Sequence, residues 1–327
     1  MRKLWQKKQK ELRAKSTPWS NCVVMDSLDC IKKTLQMNNI LITGATGNVG
    51  FEVIRFLTKI DSSNRIVAGV RNIEKAKNVF KDYPDLAYTH FDFEDFDTFD
   101  SALKGIDKIF LLRPPPISDI DKYFKPLISK IKEKNITQIV FLSVQGAEKS
   151  KVIPHNKIER LISENGLDFI FLRPSYFMQN LTTTLIEDIQ TKREIILPSG
   201  NAKFNWIDIE NIGEAGAILL DKFGDYKNQA IEITGLENEN FETVTELINS
   251  LIDNPIKYRN VNPLKFFRIK KREGMVKGMI IVMILLHFLP RFQKEPRISD
   301  FYERLTGKKP TDLKTFIERE KESIDKQ

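Results

Sequence analysis

Residues 39–50 read NILITGATGNVG, and few stretches limit a fold so tightly. The apolar run Ile40-Leu41-Ile42-Thr43 leads into Gly44, Gly47 and Gly50. Behind them, FEVIRFLTKI sets Val53, Ile54, Phe56 and Leu57 at helical spacing. The pattern predicts strand, tight turn, helix. In that context Gly44 lets the chain leave the strand sharply. Gly47 lets a pyrophosphate approach bare backbone, and Gly50 lets the helix pack close to the strand. The first-turn N–H groups and the positive end of the helix dipole then face an anion. Gly44, Thr46, Gly47, Asn48, Val49 and Gly50 are therefore the expected phosphate-binding residues of a dinucleotide site.

The alternation continues. Strands are predicted over 65–70, 86–91, 108–112, 138–143 and 167–172, and helices over 73–81, 98–104, 117–134 and 154–164. Strand and helix in turn demand parallel pairing with right-handed crossovers. The expected fold is α/β, a Rossmann-like doubly wound parallel sheet over residues 37–180. Ligands bind at strand C-termini in such sheets, so Leu111, Leu112 and Arg113 should border the cofactor. Arg71 stands where NAD-specific sites usually carry an acid for the ribose 2′-OH. A guanidinium binds a 2′-phosphate and has no acceptor for a hydroxyl. The reading is NADP(H) in preference to NAD(H), the alternative being a solvated surface arginine. Beyond Pro174 the pattern loosens. Short strands at 194–197, 204–207, 230–233 and 256–261, with helices at 210–220 and 241–252, should make residues 181–327 a smaller, mostly helical α+β substrate lobe.

The formal charge of +8 is unevenly spread. Residues 1–36 hold nine Lys/Arg and three acids, which leaves the rest near neutral. No nucleic-acid partner is expected from that balance. The 1–36 segment lacks the apolar core of a secretory signal. It reads as disordered or as an extension ahead of a natural start at Met37, the alternative being a basic targeting tail. It holds both cysteines, Cys22 and Cys30, so a thiolate metal site or cysteine nucleophile in the fold is excluded. Their absence from the fold fits a reducing, cytoplasmic setting. His90, His155 and His287 are far apart, and no metal is expected. The run MVKGMIIVMILLHFL at 275–289 is too short to span a bilayer, which takes roughly 20 residues. It reads as a core or lobe helix whose methionines 275, 279 and 283 fill gaps. An interfacial helix is the alternative.

The wording TGATGNVG resembles the NmrA-like branch of the short-chain dehydrogenase/reductase superfamily. So do GLDFIFLRPSYFMQN at 166–180, FNWIDIENIGEA at 204–215 and YERLTGKKPTDLKTFIE at 302–318. Ordinary superfamily members place Ser/Thr at the fifth strand end and a Tyr-x-x-x-Lys a dozen residues later, the tyrosine donating a proton. Here Ser143 fits, but His155-x-x-x-Glu159 stands in place of the dyad. That departure is similar to the NmrA-like branch. The resemblance implies that Asp92 and Phe93 meet the adenine edge, and that Pro174, Tyr176 and Phe177 flank the nicotinamide and substrate pocket. His155 would serve as an acid, orient the nicotinamide or substrate, or simply pack at its helix start. Ser143 would bind a carbonyl substrate or cap its turn. Glu159 would lie on a solvated face or pair with Lys157 or Arg160. The implied activity is NADPH-dependent hydride transfer to a quinone, azo or similar conjugated acceptor, a small molecule met by a monomer or homodimer. The other reading is a non-catalytic NADP(H)-binding sensor. Nucleotide-sugar epimerisation is disfavoured, because it relies on the missing tyrosine.

Overall fold

The computed structural model describes residues 38–60, 64–151 and 153–326. The readings attached to residues 1–36 lie outside the described residues. The first part alternates as β1 (Asn39–Thr43), α1 (Asn48–Leu57), β2 (Arg65–Val70), α2 (Ile73–Val79), β3 (Ala87–His90), α3 (Thr98–Ala102), β4 (Lys108–Leu111), α4 (Ile120–Glu133), β5 (Gln138–Leu142), α5 (Pro154–Glu164) and β6 (Asp168–Pro174). Then come β7 (Tyr176–Phe177), α6 (Ile186–Lys192), β8 (Glu194–Leu197), β9 (Phe204–Ile207), α7 (Ile209–Asp221), α8 (Phe223–Tyr226), β10 (Gln229–Ile233) and β11 (Asn238–Glu239). The chain finishes with α9 (Phe241–Asn249), β12 (Lys257–Asn260), α10 (Pro263–Arg272), α11 (Lys277–Phe288), α12 (Phe301–Thr306) and α13 (Leu313–Asp325).

Seven parallel strands form the main sheet in the order β10-β6-β5-β4-β1-β2-β3. Successive side chains of a strand face opposite layers. Ile40 and Ile42 accordingly join one apolar layer with Val53 and Phe110, while Leu41 joins the other with Ile109 and Phe124. The strand order reverses between β1 and β4, which opens a ligand crevice at their C-terminal ends.

Two elements expected in the smaller lobe belong to the main sheet instead. β10 lies parallel to β6, with Ile231 opposite Leu172, and completes that edge. α7 packs directly on α1, because its small residues permit close approach. A Cβ on Gly213 would stand 2.3 Å from the Cβ of Glu52, and one on Gly216 would stand 3.0 Å from the Phe110 ring. Conversely Tyr176 and Phe177 pair with Trp206 and Ile207 as β7 and β9 of a small second sheet. That sheet, the β8–β12 pair and their helices enclose a third apolar cluster around Trp206, Phe241 and Phe316. Of the three methionines expected to fill gaps, only Met283 is fully buried, and Met279 is exposed.

Candidate functional site

The glycine turn is built as its spacing requires. Gly44 has φ +58°, a left-handed value that would strain any other residue. Gly47 N–H donates to Gly44 O at 2.9 Å and closes the turn. A Cβ on Gly50 would lie 2.4 Å from Gly44 O and 2.9 Å from Ala45 Cα, so only glycine lets α1 start this close to the strand. Gly47 caps α1 without any side-chain bond, and the first intrahelical bond runs from Phe51 N–H to Gly47 O. The N–H groups of Asn48, Val49 and Gly50 therefore have no helical acceptor. Gly44, Thr46, Gly47 and Asn48 are exposed, whereas the Val49 side chain is buried in the core. These free N–H groups and the bare glycines leave a cradle lined by backbone.

Around it the strand ends are fixed in place. Thr43 Oγ1 donates to Phe110 O at 3.2 Å and accepts from Leu112 N–H at 2.8 Å, tying the ends of β1 and β4 together. Leu112 thereby stands beside Gly44, while Leu111 points into the core. Arg71 is exposed at the end of β2 and forms no ion pair among the described residues. The neighbouring Asn72 carboxamide caps α2 through Lys75 N–H. Asp92 is half-buried at the end of β3, where its carboxylate accepts from Glu94 N–H, and Phe93 is buried against Phe91 and Phe124. Arg113 turns inward, and its Nη1 donates to the carbonyls of Pro114, Pro115 and Ile117.

His155 lies in the first turn of α5, its ring tilted against Phe141 at 6.1 Å between centroids. Burial, with the Arg113 guanidinium nearby, pushes its pKa down to about 3. It is therefore neutral at physiological pH and has no proton to give as an imidazolium, which leaves orientation or packing. Next to it, Asn156 Oδ1 is buried with no hydrogen-bond partner among the described residues.

Ser143 and Glu159 come together in a buried pair. Ser143 Oγ donates to Glu159 Oε1 at 2.6 Å in a buried setting. Arg173 grips the same carboxylate with Nε at 2.9 Å and Nη2 at 2.6 Å. Glu159 is thus neither solvated nor paired with Lys157 or Arg160, and Arg160 binds Glu164 instead. Burial of the α5 inner face brings Glu159 against β6, and a carboxylate there needs a fixed cation. The sequence showed both residues but not their pairing, because they sit on different elements.

At the end of β6, Pro174 is buried and its carbonyl accepts from Gln145 N–H. Tyr176 follows, in contact with the rings of Phe204, Trp206, Phe241 and His287. His287 reaches this cluster from α11, a partner that sequence reading missed. Its Nδ1 lies 2.7 Å from Met283 O, and since a carbonyl only accepts, Nδ1 carries the hydrogen. Its Nε2 then accepts from Tyr176 OH at 3.0 Å. Among the described residues there is no group of His, Cys, Asp and Glu able to hold a metal ion.

The sequence from just before β1 to the first turn of α13 matches a known family. The NmrA-like family matches residues 36–316. The chain belongs to the NmrA-like family. Among the similar proteins is prestalk A differentiation protein A of Dictyostelium discoideum, 30% identical over 85% of this chain and 91% of that protein. The NAD(P)H azoreductase of Xenophilus azovorans is 26% identical over 85% of this chain and 96% of its own. The structure of the NADPH-dependent quinone oxidoreductase QOR2 of Escherichia coli with NADPH superposes with a TM-score of 0.75 at 21% identity. It covers 86% of this NmrA-like chain and 99% of that one. That likeness is one of fold.

Proposed function

We propose that this NmrA-like protein is an NADPH-dependent reductase whose acceptor is a quinone, azo compound or similar conjugated small molecule. The cofactor is NADP(H). The cradle of Gly44, Gly47 and the Asn48, Val49 and Gly50 N–H groups would hold its pyrophosphate, Arg71 its 2′-phosphate and Asp92 the adenine edge. The bound dinucleotide supplies the hydride. The observation that carries the choice of acceptor is the fate of the proton donors. Ser143 is spent on Glu159, His155 is neutral, and burial raises the Tyr176 hydroxyl above the ordinary phenol range. None of these three groups is therefore poised as a strong acid. A quinone does not need one, because the phenolate-like anion left after hydride transfer is a weak base and takes its proton from water. The azoreductase and quinone-reductase relatives support the same chemistry. In this reading Pro174 and Tyr176 wall the nicotinamide side, and His155 holds the ring from beneath.

The direct test follows NADPH oxidation with a panel of quinones and azo dyes, with cofactor binding measured by fluorescence in parallel. Turnover on a conjugated acceptor is expected. Tight binding without turnover on any acceptor would replace the proposal with the sensor reading. Arg71→Ala should weaken NADPH by roughly tenfold to a hundredfold, the worth of a charge-assisted contact, and leave NADH unchanged. Equal loss for both cofactors would remove the 2′-phosphate role. Because His155 is neutral well below its ordinary value, the rate should show no histidine inflection between about pH 5 and pH 8. An inflection in that range that disappears in His155→Gln would restore His155 as an acid.

A further inference from the structure

Helix α11 is apolar around its circumference, yet protein covers only one side. Ile280, Met283 and His287 are buried. Ile281, Val282, Leu285 and Leu286 are 46–55% exposed, and Val276 and Phe292 at the two ends are 75% exposed. From Gly278 to Leu289 no charged residue interrupts the run. A helix apolar on all sides is normally enclosed, and soluble monomers seldom leave such a patch in water. Nine of the thirteen large apolar side chains exposed among the described residues fall between Leu264 and Phe292, so this is one surface and not scattered exposure.

The charge around it is equally concentrated. Residues 263–297 hold nine Lys/Arg and two acids. Both acids are taken up by other contacts, Glu273 by Lys192 and Lys270, and Glu295 by Lys203. Lys270 is buried on Asp188. The remaining eight cations, Lys271, Arg272, Lys277, Arg291 and Lys294 among them, are exposed, and none forms an ion pair among the described residues. Outside this stretch and residues 1–36, the chain has 34 Lys/Arg against 39 acids. Among the described residues unpaired positive charge is thus gathered on α10, which packs on α11, at the start of α11 and on the segment that follows it.

We infer that the α10–α11 hairpin docks this protein on an anionic lipid surface, with α11 lying in the headgroup boundary. The exposed apolar face meets the acyl edge, and the basic rim meets lipid phosphates. Insertion stops there. The 12 residues of α11 reach only about 18 Å, short of the roughly 30 Å hydrocarbon core, and no helix among the described residues can cross a membrane. A second copy is a poorer occupant, because a two-fold contact through this face would bring two basic rims together.

The test uses the full chain in flotation with vesicles of equal parts phosphatidylcholine and phosphatidylglycerol, against phosphatidylcholine alone. Co-flotation with the anionic vesicles is expected, falling at least about tenfold on neutral ones. The doubly substituted Ile281→Ser, Leu285→Ser protein should lose about tenfold or more, and so should Lys271→Glu, Arg272→Glu. All four side chains are exposed, so the thermal midpoint should hold in both variants. Residues 1–36 are also basic and stay in place throughout. Vesicle binding unchanged in both variants would assign it to that segment and overturn the proposal. Absence of flotation would also overturn it, as would a dimer in sedimentation that the serine variant dissolves, which would make the face a self-interface.

Discussion

Glu159→Leu is expected to lower stability by about 3 kcal/mol or more, and the thermal midpoint by on the order of 10 °C. The substitution fits the site's size and removes a charge, so a surface carboxylate would barely notice it. Glu159 is not at the surface. Its side chain is 5% exposed, and it satisfies Ser143 and two nitrogens of Arg173. Without it the guanidinium, itself 12% exposed, keeps only Glu148. Breaking a buried pair costs more than the pair contributes, because one charge is left without compensation. The double variant Glu159→Leu, Arg173→Leu should therefore recover most of the loss. If the double variant is as unstable as the single one, the pair is not the cause. Ser143→Ala separates structure from chemistry at the same place. It deletes one hydrogen bond to a carboxylate, worth about 1.5–3 kcal/mol, and should leave NADPH turnover intact. Loss of turnover with folding and cofactor binding preserved would put the hydroxyl on the substrate after all.

How much of this was legible depended on whether the signal was local. The turn from Gly44 to Gly50 could be read outright, since each glycine answers to a constraint from its immediate neighbours. The alternating strands could be read for the same reason, with most predicted bounds within a few residues of those found. Arg71, too, is a matter of position at a strand end. What sequence could not supply was which distant elements meet. β10 reads as one more short strand, and only the open edge beside β6 decides that it joins the main sheet. Gly213 and Gly216 hint at close packing, but not that α1 is the partner. Glu159 was visible four residues after His155, and Arg173 was visible before Pro174. Their pairing needed the fold of α5 onto β6. His287 gave no local sign at all of its place on Tyr176, because it stood inside an apolar run whose length alone drew attention.

His287 also makes the second lobe sensitive to acid, in a direction that burial fixes. Its ordinary pKa of 6.5 is pushed down to about 4, because the ring is buried and a proton there would lack solvation, while the bond to Met283 O opposes this only in part. Below about pH 6.5 the unfolded chain therefore takes up a proton that the folded one refuses. Stability is lost at about 1.4 kcal/mol per pH unit until the folded value near 4 is reached, a total of order 3 kcal/mol. Above about pH 6.5 both forms are neutral and this contribution is complete and flat. His155, held down to about 3 by burial and Arg113, acts in the same direction. Denaturant unfolding of the wild type should thus weaken by about 2 kcal/mol for each of these histidines between pH 7 and about pH 5. His287→Gln should shed its own share of that slope. Glutamine keeps a carbonyl for Tyr176 OH and an N–H for Met283 O, so most of the neutral-pH stability should survive. An unchanged slope in the variant would mean that the ring takes its proton without unfolding. Its contact with Tyr176 would then be loose enough to open, and α11 would be held to the lobe by Ile280, Met283, Ile284 and its packing on α10.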